Sequence, residues 1–189
     1  MGASKRIVVG VSGASGALYT KRLLETLIRL GHEAHVTVTP PGARLLHDEI
    51  GLERVDLRSI ASLAGIGEGE DPNGRGLSLY CSKDIGAAIA SGSFLHDGMV
   101  VMPCSSHTLN AIARGLGDNL LCRAAAVTLK ERRPLIICHR ESPLTMIDIE
   151  GMRSLTEAGG IIAPTNPGFY LLPKTIGELV DFVVAKPLD

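Results

Sequence analysis

Hydroxyl, carboxylate and guanidinium groups cluster at two places in the second half of this sequence. Ser105, Ser106 and Thr108 bring three hydroxyls within four residues, which suits a phosphate or a ring with many hydrogen-bond acceptors. Arg140 and Glu141 are adjacent, so the arginine could bind an anion while the carboxylate carries a proton, although a plain ion pair gives the same pattern. These residue types indicate a site that binds an anionic ligand and moves a proton.

Further candidate groups are less specific. His107 could act as a general acid or base, but a surface histidine explains it equally well. Cys104 could be a nucleophile, yet cysteine is more often a small buried residue. Lys130 lies in a charged segment that could hold a phosphate or be the solvated end of a helix, where cations are favourable. Tyr170 could reach a ligand with its hydroxyl or help to close the core.

A strand followed by a small-residue turn is predicted near the N-terminus. Residues 7–11 form a β-branched run typical of a central parallel strand, and the glycines within 10–16 let the backbone turn sharply beside a ligand. A helix is predicted from near Ala14, with Ser12 or Ser15 as its cap. The turn lacks the full dinucleotide fingerprint and a P-loop lysine, so it favours a phosphate-bearing ligand without specifying one.

Alternating strand and helix patterns continue to the end of the chain. Further strands are predicted at 33–39, 77–81, 98–102, 133–138 and 161–164. Helices are predicted at 18–30, 43–49, 85–90, 109–114, 120–130, 145–158 and 176–186, with the Pro-Pro-Gly run at 40–42 as a break. Residues 51–76 give no clear element, and 65–74 are predicted to be an exposed loop.

This alternation predicts the α/β class, with an open, mostly parallel sheet covered by helices on both faces in a three-layer sandwich. The polar residues follow directly after the predicted strands. Because the carboxyl ends of parallel strands share one edge, where ligands bind, we expect them to form a small-molecule site. One domain over residues 1–189 is expected from the length.

Composition excludes several classes of partner. The net charge of −1 and an aromatic content of 3% without tryptophan argue against a nucleic-acid partner or an anionic membrane surface. No apolar run is long enough to span a bilayer. The four cysteines form no C-x-x-C pair, which predicts reduced thiols in a cytoplasmic protein and no zinc site.

Several short motifs, taken together, resemble the UbiX-type flavin prenyltransferases. The motifs run in the same order from about Arg6 to Lys186, and each is weak alone. They are Gly13-Ala14-Ser15-Gly16, Ala90-Ser91-Gly92-Ser93, Pro103-Cys104-Ser105, Leu129-Lys130-Glu131-Arg132-Arg133-Pro134-Leu135, Arg140-Glu141-Ser142-Pro143 and Pro167-Gly168-Phe169-Tyr170.

The resemblance implies a Rossmann-like fold and a metal-independent transferase. Members of the family join a dimethylallyl group from dimethylallyl phosphate to N5 and C6 of reduced FMN. The prenylated FMN product serves a UbiD-type decarboxylase. Members are homo-oligomers, usually dodecamers, whose sites lie between subunits.

The resemblance also assigns roles to residues of this chain. It implies FMN binding at Gly13, Ala14, Ser15, Thr39, Ser105, Ser106, His107, Thr108 and Arg140. It implies binding of the prenyl phosphate at Ser91, Gly92, Arg123, Lys130, Arg140, Tyr170 and Lys186. The implied catalytic residues are Glu141 as acid and base, Ser15 beside it, Lys130 on the leaving group, and Glu49 reaching the site of a neighbouring subunit.

The sequence departs from the family pattern at three places, and these keep other functions open. Thr39 stands where relatives usually have serine, and Lys186 stands where they usually have arginine, which loses a bidentate fork but keeps the charge. The sequence also lacks the C-terminal tail of many relatives. The alternatives are an FMN-binding carrier or specialised paralogue without prenyl transfer, and an oxidative decarboxylase of peptidyl or pantothenoyl cysteine, whose catalytic histidine and Met-rich clamp are missing.

Overall fold

The chain folds around a six-stranded sheet. A computed structural model describes residues 3–189. The strands lie in the order β3-β2-β1-β4-β5-β6, and every neighbouring pair is parallel. In chain order they are β1 Arg6–Val11, β2 Glu33–Val38, β3 Leu77–Cys81, β4 Gly98–Cys104, β5 Leu135–His139 and β6 Ile161–Ile162.

Within residues 3–189, seven helices cover the two faces of the sheet. They are α1 Ala17–Arg29, α2 Pro40–Ile50, α3 Leu57–Leu63, α4 Ser106–Ala113, α5 Leu120–Lys130, α6 Met146–Glu157 and α7 Ile176–Ala185. Helices α1, α2, α3 and α7 pack on one face and α4, α5 and α6 on the other, each around its own buried apolar cluster. The predicted three-layer α/β architecture is confirmed. No helix within residues 3–189 is long and apolar enough to cross a membrane.

The strand order reverses beside β1, and this places the ends of β1 and β4 side by side. β1 pairs with β2 on one side and with β4 on the other, so the connections leave in opposite directions. A crevice opens outside the carboxyl ends of the strands at such a switch point. We call this side of the sheet the carboxyl edge, and the opposite side, where the strands begin, the amino edge.

Three predicted elements were wrong in detail. The Pro-Pro-Gly run begins α2 instead of breaking the chain, because a proline in the first helical turn lacks only an N–H that has no partner there, and Thr39 caps the helix. The unassigned stretch 51–76 contains α3, capped by Asp56. The helix predicted at 85–90 is only a 3₁₀ turn, Ala88–Ala90.

Candidate functional site

A buried serine joins the ends of the two central strands. Ser12 is 1% exposed, and its Oγ accepts a hydrogen bond from the Ser105 N–H at 2.8 Å. The same hydroxyl lies 3.1 Å from the Pro103 carbonyl oxygen, to which it donates. This pairing fixes the turn after β1 against the start of α4, so two of the predicted ligand-binding segments meet at the carboxyl edge.

The start of α4 presents hydroxyls and backbone N–H groups at this edge. Ser105 is the N-cap, and its Oγ accepts from the Thr108 N–H at 3.3 Å while donating to the Thr108 hydroxyl at 3.2 Å. Ser106 is half-buried and His107 is exposed. The positive end of a helix dipole with hydroxyls around it is a suitable place for a phosphate.

The start of α1 is capped by a carboxylate of the same chain. Ser12 and Ser15 were predicted to cap this helix, but its N-cap is Gly16, which has no side chain. Glu49, at the end of α2, accepts instead from the Gly16 and Ala17 N–H groups at 2.9 and 2.8 Å. Within this chain, Glu49 therefore lies at its own carboxyl edge, beside Ser15.

The charge of Glu49 is stabilised by this arrangement. Partial burial opposes ionisation, but hydrogen bonds from Ala17, Ser15 and Gly16 and the nearby charge of Arg140 outweigh it and lower the pKa of Glu49. Arg140 also opposes the rise that burial causes in the pKa of Tyr19. Ser15, Glu49 and Arg140 thus belong to one electrostatic neighbourhood.

Glycines let the turn after β1 and the start of α2 approach each other closely. A Cβ at Gly13 would collide with the Pro41 ring, and a Cβ at Gly42 would lie 2.7 Å from the Val11 carbonyl oxygen. Thr39 caps α2 here, with its Oγ1 accepting from the Gly42 N–H at 3.2 Å. The turn after β1 and the start of α2 therefore pack tightly against each other at the carboxyl edge, beside the start of α1.

Arg140 and Glu141 follow β5 and lie exposed beside α4. The Arg140 N–H donates to the Cys104 carbonyl oxygen at 3.0 Å, which holds the backbone after β5 against the end of β4. The Glu141 carboxylate accepts from the Ser142 N–H at 3.1 Å. Cys104 is fully buried and burial raises the pKa of its thiol, so it is a packing residue, in agreement with the less chemical of its two interpretations.

A second group of predicted residues lies at the amino edge. Lys130 ends α5 before β5 begins, whereas Arg140 follows the end of β5, so the strand length of about 17 Å separates them. A Cβ at Gly92 would meet the Lys130 ammonium, 3.1 Å away, and the carboxylate of Glu131. Ser91, Gly92 and Lys130 therefore lie apart from the predicted residues at the carboxyl edge of the same chain.

Tyr170 and Lys186 form a third group, beside α7. The Tyr170 ring packs edge-on against Phe182 at 5.5 Å between centroids and is 75% exposed. Lys186 lies near it and pairs with Asp189 at 2.9 Å. Both residues line a groove of about 520 Å³. Arg123, in the first turn of α5, is exposed at the other end of that helix from Lys130.

Sequence reasoning missed a buried polar network below α4. Ser106 Oγ lies 3.1 Å from His139 Nε2, and Asn110 Nδ2 donates to Asp148 at 3.2 Å. The spacing of Thr145 and Asp148 at the start of α6 is that of a capping box, which could have located the aspartate. No local sequence pattern indicates a role for His139, because it is simply the last residue of an apolar strand.

The fold and the carboxyl edge define an α/β protein that binds a mononucleotide phosphate, and comparison with known proteins narrows this class. A family model described as "Flavoprotein" matches residues 1–187. The UbiX flavin prenyltransferase of Thermoplasma acidophilum is 44% identical over 184 residues, covering 97% of this chain and 93% of that protein. A probable UbiX-like flavin prenyltransferase of Bacillus subtilis is 40% identical over 100% of this chain and 85% of its own length.

Solved structures give the same result. AnUbiX, in complex with FMN and dimethylallyl pyrophosphate, superposes with a TM-score of 0.86 at 35% identity, covering 99% of this chain and 92% of that chain. A dodecameric FMN-dependent UbiX-like decarboxylase from Escherichia coli O157:H7 superposes with a TM-score of 0.84 at 36% identity, covering 97% and 93%. This chain belongs to the flavoprotein family and, within it, to the UbiX-type flavin prenyltransferases. The expected family, cofactor and transferase activity are confirmed.

Proposed function

We propose that the carboxyl edge of residues 3–189 binds reduced FMN and carries out its prenylation there. The observation that supports this most directly is the Ser12–Ser105 hydrogen bond, because it brings the glycine turn and the start of α4 together. Gly13, Ala14, Ser15 and Thr39 would line one side of the flavin, and Ser105, Ser106, His107, Thr108 and Arg140 would hold the other side and the phosphate.

The chain's own groups would orient the two reactants and manage one proton. Bound reduced FMN supplies the nucleophilic nitrogen and the ring carbon to which the dimethylallyl group is joined. Arg140, Lys130 and Lys186 would stabilise the phosphate that leaves when the allylic C–O bond breaks. Glu141 would take up the proton released on ring closure and return it, and Ser15 would assist beside Glu49. A closed site would keep water from the allylic cation.

A second copy of the chain would complete this site. Ser91, Gly92 and Lys130 lie at the amino edge, too far from Arg140 of the same chain to share one phosphate. An amino edge packed against a neighbour's carboxyl edge brings the two cationic groups together, with Arg123, Tyr170 and Lys186 as further contributors. The dodecameric state of the E. coli neighbour supports an oligomer, and we propose a dodecamer here.

The same assignment leads to proposals for the protein that receives the product, for the prenyl donor and for the cellular location. The product would pass to a UbiD-type decarboxylase, and the substrate would be dimethylallyl monophosphate. Within residues 3–189 all four cysteines are free and three are buried, which supports a reducing, cytoplasmic location. We also propose that residues 1–189 act as one flavoprotein domain.

The test is an anaerobic incubation of the protein with reduced FMN and dimethylallyl phosphate, followed by mass spectrometry of the flavin. We expect an adduct heavier by one prenyl unit, and Glu141→Gln should slow its formation at least about tenfold while FMN still binds. Glu150→Gln, an exposed carboxylate on α6, is the matched control. Unchanged FMN with both the monophosphate and the diphosphate donor would instead make the protein a flavin carrier.

A further inference from the structure

The end of β5 is tied to α4 by a buried histidine. His139, the last residue of β5, is 3% exposed, and its Nε2 lies 3.1 Å from the Ser106 hydroxyl in the first turn of α4. The two residues after it are Arg140 and Glu141, the cation and the carboxylate of the proposed site. His139 therefore helps to fix the backbone positions of Arg140 and Glu141.

A buried carboxylate completes the arrangement from α6. Asp148 is 3% exposed and accepts from the Thr145 N–H at 2.9 Å, the Thr145 hydroxyl at 2.7 Å and Asn110 Nδ2 at 3.2 Å. Asn110 also donates to the Ser106 carbonyl oxygen at 2.9 Å. Gly151 makes this close contact of α4 and α6 possible, because a Cβ there would collide with Asn110.

The carboxylate of Asp148 fixes the direction of the hydrogen bonds around it. Hydrogen bonds from Thr145 and Asn110 keep the pKa of Asp148 at about 2, so at neutral pH the carboxylate only accepts. Among the described residues, the Ser106 hydroxyl has one side-chain partner, the Nε2 of His139, and the tautomer of the histidine decides which of the two donates.

These residue types match a hydrolase triad, but their connectivity does not. In a Ser-His-Asp triad the carboxylate orients the histidine, which in turn accepts the serine proton. Here the Ser106 hydroxyl meets His139, and Asn110 links the Ser106 carbonyl oxygen to Asp148. The carboxylate therefore does not orient the histidine as it does in such a triad.

We propose that His139, Ser106 and Asp148 are positioning residues that hold Arg140 and Glu141 in place against the start of α4. The proposal rests on the proposed roles of those two residues. The network joins β5, α4 and α6 directly beneath the site through His139, Ser106, Asn110 and Asp148. A displaced Arg140 would lose contact with the FMN phosphate, and a displaced Glu141 would slow proton transfer.

The test compares His139→Met, which keeps the volume but removes the hydrogen bond to Ser106, with His139→Gln, whose side-chain amide can donate or accept in its place. Affinities for FMN and for riboflavin, which lacks the phosphate, are measured for both, together with the rate of adduct formation. We expect His139→Met to weaken FMN binding and slow turnover by about tenfold each, with riboflavin affinity unchanged, and His139→Gln to restore both. Ser106→Ala should resemble His139→Met, and the double variant should be no worse than either.

The proposal is overturned if His139→Gln is as impaired as His139→Met, or if His139→Met weakens FMN and riboflavin equally, since a packing defect would do both. Additive losses in the double variant would also overturn it. Because the flavin affinities do not depend on turnover, they decide the question even if the wild-type protein forms no prenyl adduct.

Discussion

Asp148 is a buried carboxylate whose charge is held by neutral donors. Its hydrogen bonds with Thr145 and Asn110 form only in the folded chain, and its pKa there is about 2 instead of 3.8. A carboxyl whose pKa is lower in the folded state stabilises that state above its unfolded pKa, and the stabilisation is lost as the pH falls through the folded pKa.

Asp148→Asn is therefore expected to lower the free energy of unfolding by about 2 kcal/mol at neutral pH. The difference from wild type should shrink to about half near pH 3, where the unfolded carboxyl is mostly protonated. Urea unfolding of the FMN-free protein at one fixed protomer concentration measures both values. An equal difference at the two pH values would show that the charge of Asp148 contributes nothing.

Gly92 borders the cationic group at the amino edge. A Cβ there would meet the ends of the long Glu131 and Lys130 side chains. These ends can move aside without disturbing the fold, but their displacement would change the proposed phosphate site. We expect Gly92→Ala to raise the KM for dimethylallyl phosphate about tenfold with little change in thermal stability. Gly86→Ala, in the same segment with ordinary contacts, is the control, and an equal effect in both variants would contradict the assignment.

At this scale the sequence predicted local chemistry better than long-range contacts. The three hydroxyls at the start of α4 could be recognised from their spacing, and one of them, Ser105, is the N-cap. The Glu49 cap on α1 could not be predicted, because donor and acceptor are 32 or 33 positions apart. The hydrogen bond between His139 and Ser106, which are also 33 positions apart, could not be predicted for the same reason.

Among the elements, α2 shows how a helix can start at residues that usually end one. Its first residues are Pro40, Pro41 and Gly42, and the glycine lies close to the Val11 carbonyl oxygen at the end of β1. Proline is favourable in the first turn of a helix, but this preference helps a prediction only when the start of the helix is already known. The prediction of a break here was therefore wrong, whereas amphipathic α1 and α5 were predicted to within about two residues.

Gly42→Ala tests this close approach. Alanine favours a helix by up to about 1 kcal/mol over glycine, but its Cβ would lie 2.7 Å from a backbone oxygen that cannot move freely. We expect the clash to dominate and lower the free energy of unfolding by about 1–3 kcal/mol, measured by urea unfolding.

Gly117→Ala is the matched control, because its Cβ would have only an ordinary contact with Arg123 at 3.7 Å. This control should be neutral or slightly stabilising. A stabilised Gly42→Ala variant would show that the start of α2 can shift away from β1 at little cost.

On the scale of the whole molecule, most of the predicted site residues fall at the two edges of the sheet, and Tyr170 and Lys186 lie beside α7. The fold class could be predicted because alternating strands and helices follow from hydrophobic periodicity. The separation of Lys130 from Arg140 also follows from the predicted elements, because the strand predicted at 133–138 lies between them, but the pattern of elements does not show which surface of another copy meets which edge. Lys130 and Arg140 are only ten positions apart, yet a full strand separates them.

Mixing two inactive variants tests whether the edges of different copies meet. Arg140→Met and Lys130→Met should each lose most prenyl transfer alone. Co-expressed in equal amounts, they should regain about a quarter of wild-type activity, because a site with its carboxyl edge from one variant and its amino edge from the other is intact. Activity no higher than that of the separate variants would place all the groups of a site on one copy.

The carboxylate of Glu49 at the start of α1 has a consequence for cofactor choice. In folds of this kind, that helix start receives the bridging diphosphate of NAD or FAD. Here the carboxylate of the chain itself fills the position, and its negative charge would repel a second anion. We therefore expect the carboxyl edge to disfavour dinucleotides and to receive a single terminal phosphate at the start of α4, which gives selectivity for the smaller flavin.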